Sequence, residues 1–193
     1  MRELLSNCSD ALEKQRFIDL KGEKENDIPL QINIITNKEK KQLIIQDTGI
    51  GMSEQELVEN LGTIANSGSK KFLENLDEED EALDTVIGQF GVGFYSGFIV
   101  GQTIQVYSKK TGEDAHVWTS DGMGTFSVEK TTDFNLERGT KIVIHLKPEF
   151  ENFALKEQIQ TIIDKYSNFI NHPIYLNHEK VNIVEALWSK SPS

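Results

Sequence analysis

Apolar residues recur at helical spacing from Arg2 to about Arg16, placing Leu4, Leu5, Cys8, Ala11 and Leu12 on one side. Glu3, Asn7, Asp10 and Lys14, separated by four, three and four residues, fall elsewhere on the same helix as one narrow polar stripe. Met1 opens directly into this pattern with no capping residue before it, so the sequence is expected to begin inside a helix of a longer protein. The period then changes. Leu30, Ile32 and Ile34 alternate with Gln31 and Asn33, a polar NKEKKQ connection follows, and LIIQD closes a predicted hairpin over residues 30–47. Ser53 with Glu56 three residues on forms a capping box, and Leu57, Val58 and Leu61 give the helix it starts an apolar side ending near Gly62.

TIQVYSK (103–109), AHVWTSD (115–121), GTFSVEK (124–130) and TKIVIHL (140–146) predict further strands, and the short polar or glycine-containing turns between them favour antiparallel pairing. Leu155, Ile159, Ile162, Ile163, Tyr166 and Ile170 predict a helix over 153–170, with PIYLN as one more short strand. Helices with antiparallel strands make an α+β, two-layer α/β sandwich, a mostly antiparallel sheet covered on one face by helices. A chain of 193 residues holds one such domain, 1–193. The acidic run from Asp77 to Asp84 reads as a solvated loop.

Charge narrows the partners. With 20 basic and 31 acidic residues the net charge is −11, which argues against a generic nucleic-acid backbone binder. The single cysteine, Cys8, excludes an internal disulfide framework and a multi-cysteine zinc site. His116, His145, His172 and His178 include no pair at ligand spacing on a helix. No apolar run approaches the roughly 18 residues that span a bilayer, and the start lacks the order of a signal peptide.

Three segments carry candidate chemistry: the polar stripe, DTGIGM at 47–52 and GQFGVGFYSG at 88–97. Glycine-rich turns let backbone amides approach a phosphate closely, so in an acidic domain the amides, and not lysines, are expected to hold a polyanion. No glycine-lysine-serine or glycine-lysine-threonine triplet completes a P-loop, and Gly91, Gly93 and Ser96 break the dinucleotide fingerprint at its third glycine. Asn7 offers a magnesium-compatible carbonyl oxygen one turn after Glu3, the pair needed to hold a metal-bridged triphosphate and activate a water.

The strings RELLSNCSDALEK, QDTGIGM, NLGTIANSGSK, IGQFGVGFYS and RGTKIVIHL, in this order, closely resemble the nucleotide-binding domain of the ninety-kilodalton heat-shock chaperones, of the gyrase, histidine-kinase and mismatch-repair ATPase superfamily. The resemblance runs over nearly the whole chain, and its ending looks most like the mitochondrial branch, with the bacterial form second. It implies that Glu3 is the general base, that Asn7 is the Mg2+ ligand, and that Asp10 and Lys14 complete the nucleotide-facing stripe. Asp47 is similar to the carboxylate that accepts from the adenine amino group, with Gly49 and Gly51 letting the chain pass the base, Met52 and Phe94 as apolar walls and Thr140 as a hydroxyl that supports the adenine through water. Asn60 matches a polar contact near the ribose and phosphates, beside Leu61. Gly88, Gln89, Phe90, Gly91, Val92 and Gly93 resemble the loop whose amides wrap the terminal phosphate. Residues 62–76 resemble a hinged lid, with Gly62 and Gly68 as flexible points.

The resemblance further implies a domain that binds ATP and ADP with Mg2+ and hydrolyses ATP slowly, coupling lid closure and dimer clamping to the folding of client proteins. Its expected partners are those clients and its own middle domain, in a homodimer of the full-length protein, with no nucleic acid and no membrane insertion. The implied location is the mitochondrial matrix, with the cytoplasm as the alternative. A nucleotide sensor without hydrolysis is the second reading, because Glu3 lies in the first turn of a helix that can fray. A histidine-kinase or topoisomerase domain shares the superfamily pocket but lacks NLGTIANSGSK joined to IGQFGVGFYS. Asn66 departs from the family's usual basic residue, and Cys8 from the usual Ala or Ser; as a buried small hydrophobe Cys8 is expected to be tolerated, and its thiol beside the magnesium ligand raises the hypothesis of redox or electrophile sensitivity.

Overall fold

The computed structural model describes residues 1–22, 27–62 and 93–182. Helix α1 spans Arg2–Lys21, five residues beyond the apolar pattern that predicted it, and ends at Gly22. Its N-cap, Met1, supplies no side-chain cap. The hairpin forms as β1 (Ile32–Asn37) and β2 (Gln42–Asp47), paired antiparallel. Its turn is closed by Lys41 at a φ of 53°.

Both halves of the predicted capping box at Ser53 are made, and α2 (Glu54–Leu57) runs into a π-helical turn, Val58–Gly62. After a 3-10 turn, Gly93–Ser96, and the single-turn α3 (Gly97–Val100), the strands β3 (Gly101–Lys109), β4 (His116–Ser120), β5 (Phe126–Lys130) and β6 (Gly139–Leu146) follow as predicted. The helix predicted over 153–170 is shorter. Only Lys156–Tyr166 is α-helical (α4), with 3-10 turns at Pro148–Ala154 before it and Ser167–Phe169 after it. The apolar periodicity extended across this stretch because Ala154, then Ile159 and Ile163, then Ile170 just after the last turn are buried against the same core.

Strands β7 (Ile174–Leu176) and β8 (Glu179–Lys180) complete an eight-stranded sheet in the order β5-β4-β3-β6-β2-β1-β7-β8. Every pairing is antiparallel except β1 with β7. One side of the sheet is apolar and closed: Ile32, Ile34, Leu43, Ile45, Ile104, Val106, Trp118, Ile142 and Ile144 are buried against Leu4, Leu5, Cys8 and Leu12 of α1, Leu57 of α2 and the aromatic group Phe94, Tyr95 and Phe98. The alternate residues Gln42, Gln46, Gln105, Tyr107, Lys141 and His145 are only half-buried, as period-two alternation requires of a sheet covered on one side. The Tyr95 hydroxyl donates to the Leu61 carbonyl, joining the end of the π turn to the start of the later 3-10 turn.

Candidate nucleotide-binding site

Two strand ends, one helix and one turn converge on a cleft of about 490 Å³ on the helical side of the sheet. Asn7, Asp10 and Lys14 reach it from α1, Asp47 from the end of β2, Gly51 and Met52 from the glycine turn, Asn60 and Leu61 from the π turn, and Phe94 and Thr140 from beyond. Ten residues predicted from sequence therefore share one concavity. Cys8, Ala11, Ile50, Glu56, Val106, Lys110 and Ile142 complete its lining.

The turn is fixed to α1 by backbone. The Ile50 amide donates to the Ala11 carbonyl at 3.1 Å, and a Cβ on Gly49 would stand 2.6 Å from the Ala11 carbonyl carbon. Gly49 is therefore required by its contact with the helix, and it does not line the cleft. Gly51 does line the cleft; its φ is 71°, and a Cβ there would meet the Lys109 carbonyl oxygen at 2.0 Å. Thr48 and Arg138 brace the outer side: Thr48 Oγ1 donates to the Pro29 carbonyl at 2.6 Å, and the buried Arg138 donates through Nε to the Thr48 carbonyl at 3.0 Å.

Asp47 is 4% exposed. Its Oδ1 accepts from the Gly49 amide at 2.9 Å, so it is also a turn-forming carboxylate. Burial pushes its carboxyl up from 3.8 to about 6, against the opposing pull of the Gly49 amide, the Cys8 thiol and the Thr140 amide. Near neutrality it is therefore an ionised, acceptor-only group at the inner end of a mostly apolar cleft.

Glu3 is half-buried and lies outside the cleft lining. A Cβ on Gly93 would stand 2.8 Å from Glu3 Oε2, so the carboxylate packs directly on the last residue of the predicted phosphate loop. Gly88, Gln89, Phe90, Gly91 and Val92 lie outside the described residues, as do Asn66, Gly68 and the acidic run Asp77–Asp84. Gly62 is buried with its α-carbon against the ring of Phe126.

Cys8 is buried, as its place on the apolar side of α1 predicts. It is 2% exposed, and burial together with the Asp47 carboxylate holds its thiol well above its ordinary range, which opposes the reactive thiolate. Sequence patterns alone did not point to Ser108 or to the Lys110–Glu56 ion pair at 3.0 Å on the cleft edge. Ser108 carried a signal: it follows Ile104 and Val106 at the inward parity of β3, where a polar residue has to find buried partners.

This fold and cleft fit a nucleotide-binding module, and the chain belongs to the histidine kinase-, DNA gyrase B-, and HSP90-like ATPase family, whose model matches residues 1–154. It is 45% identical to heat shock protein 75 kDa, mitochondrial, of Rattus norvegicus over 196 residues, covering 100% of this chain and 27% of that protein. It is 44% identical to the chaperone protein HtpG of Desulfitobacterium hafniense, covering 99% of this chain and 32% of that one. The TNF receptor-associated protein 1 homolog, mitochondrial, of Dictyostelium discoideum is 45% identical, with 98% and 27% covered. The chain thus spans about a third or less of the length of the curated relatives it matches. Among the described residues, no helix is long and apolar enough to cross a membrane.

Proposed function

We propose that this chain is the N-terminal nucleotide-binding domain, 1–193, of a heat-shock chaperone, binding ATP and ADP and hydrolysing ATP slowly. The observation that carries the reading is the buried Asp47 at the inner end of a cleft whose lip is the Asn7–Asp10–Lys14 stripe. A purine amino group donates to the Asp47 carboxylate while Met52, Phe94 and Ile142 flank the ring with apolar surface. Asn60, Asp10 and Lys14 stand nearer solvent, where ribose and phosphates emerge.

Asn7 is exposed on the cleft edge, and its neutral amide oxygen is the donor type that Mg2+ takes when phosphate oxygens and water supply the other positions. A cation held there would supply positive charge to the phosphates. Glu3 would accept a proton from water beside the terminal phosphate, a role that its packing against Gly93 supports. Closure of a lid over the nucleotide, clamping of a homodimer, folding of client proteins and contact with the chain's own middle domain are the proposed readout in the full-length protein. The mitochondrial names among the relatives support the matrix as its location, and the equally similar bacterial ones keep the cytoplasm as the alternative.

A nucleotide sensor without significant hydrolysis is the alternative reading. Glu3→Ala separates the readings. For the ATPase, single-turnover hydrolysis is expected to fall roughly 100-fold or more while ATP affinity stays within about twofold; hydrolysis that is undetectable in both proteins leaves the sensor.

The pH dependence originates in Asp47. Only the ionised form accepts from an amino group without offering a competing proton. ATP affinity is therefore expected to be level above pH 7 and to weaken about tenfold per unit below pH 6, a profile that calorimetric titration from pH 5 to 8 would reveal.

A further inference from the structure

Asp47, Thr140 and Ser108 occupy one cross-strand row, since Asp47 pairs with Thr140 between β2 and β6 and Thr140 pairs with Ser108 between β6 and β3. All three are buried, Ser108 completely. Asp47 and Thr140 line the cleft; Ser108 stands behind Thr140, with its Oγ 2.8 Å from Thr140 Oγ1. The same Oγ accepts from the Met52 amide at 2.8 Å and lies 3.1 Å from the Gly139 carbonyl oxygen.

A hydroxyl has one proton and two acceptor sites. The Met52 amide can only donate and the Gly139 carbonyl can only accept, so one arrangement makes all three contacts compatible. Ser108 accepts from Met52, donates to Gly139, and takes its second accepted bond from the Thr140 hydroxyl. Thr140 has then spent its proton inward and turns only lone pairs toward the cleft, beside the acceptor-only Asp47. Were Ser108 to donate to Thr140 instead, the Gly139 carbonyl would lose that donor, and the Thr140 proton would be free to point at the ligand.

We propose that Ser108, which does not line the cleft, fixes the proton of Thr140 and thereby sets the purine specificity of the site. The inference rests on the nucleotide-binding function proposed for this cleft. Two neighbouring acceptors suit an exocyclic amino group with two N–H donors. They oppose a 6-oxo purine, whose carbonyl oxygen meets lone pairs at both. Ser108 is thus a positioning residue: it acts through Thr140, and its effect falls on selectivity between bases.

The test compares ATP with ITP, which differ at this edge, by calorimetric titration of the 193-residue chain and its variants. Ser108→Ala releases Thr140 to donate into the cleft, and the ratio of ITP to ATP dissociation constants is expected to fall roughly tenfold. Ser108→Cys, close in size with a weaker donor and acceptor, guards against a folding failure in the alanine variant; a fall of about threefold is expected. Ser108→Thr keeps the hydroxyl and is expected to keep the ratio. In a Thr140→Val background, Ser108→Ala should change the ratio no further. If Ser108→Ala and Ser108→Cys weaken ATP and ITP by the same factor, the hydroxyl only supports the fold and the proposal is overturned. Absence of ATP binding by the unaltered chain would instead overturn the nucleotide-binding function on which it rests.

Discussion

Asp47→Asn is expected to abolish ATP binding and, at the same time, to make the ligand-free protein more stable near neutral pH. Burial holds the Asp47 carboxyl at about 6 in the folded chain, above its unfolded value of 3.8. Folding therefore favours the protonated form, and the associated stability is fully present below pH 3.8 and lost as pH rises through 6. At pH 7 the ionised group disfavours the folded state by at most about 3 kcal/mol. Asparagine keeps the shape and an acceptor for the turn but removes the charge. Thermal melts should show the variant more stable at pH 7.5, with the advantage shrinking by pH 5, while calorimetry shows ATP affinity reduced at least about 100-fold. A variant that loses stability at pH 7.5 would show that the three donors to Asp47 outweigh its burial.

Gly51→Ala is expected to be among the most destabilising single changes in the chain. Two penalties combine. The φ of 71° is a left-handed conformation that costs a residue with a Cβ about 1–2 kcal/mol. The new carbon would also meet the Lys109 carbonyl oxygen at 2.0 Å, and that oxygen belongs to the end of β3 and cannot swing aside as a side chain would. The turn must lift, stretching the Met52 amide from Ser108. A combined loss of about 3 kcal/mol or more corresponds to a fall in melting temperature of roughly 6–12 °C. Gly112→Ala isolates the first penalty, because its φ is 78° and nothing lies within 4 Å of the added carbon. Equal losses in the two variants would show that the turn relaxes without cost.

Much of this site is legible in the sequence, because its residues sit on elements with strong local signals. The stripe Glu3, Asn7, Asp10 and Lys14 emerges from helical spacing alone, and three of its members line the cleft. The capping box places Leu61 and Asn60 correctly, although the last turn is π-helical, a detail set by packing and not by propensity. Less is legible where a role depends on partners distant in sequence. Gly49 resembles a ligand-approach glycine, but the carbon that forbids a side chain there belongs to Ala11. Ser108 gains its importance from Thr140 and Met52, 32 and 56 residues away, and only strand register brings them together. The burial of Cys8 is legible from the apolar side of α1, but not the buried carboxylate that its thiol faces.

The polar stripe also works as a ruler. From Glu3 to Lys14 the helix advances about 16 Å at 1.5 Å per residue, a length comparable with an extended nucleoside triphosphate. One rigid rod therefore sets the distance between Glu3, packed against Gly93, and the residues further along the cleft. Inserting one residue between Asn7 and Asp10 would turn Asp10 and Lys14 by about 100° away from Glu3 and Asn7 without altering a single side chain of the stripe.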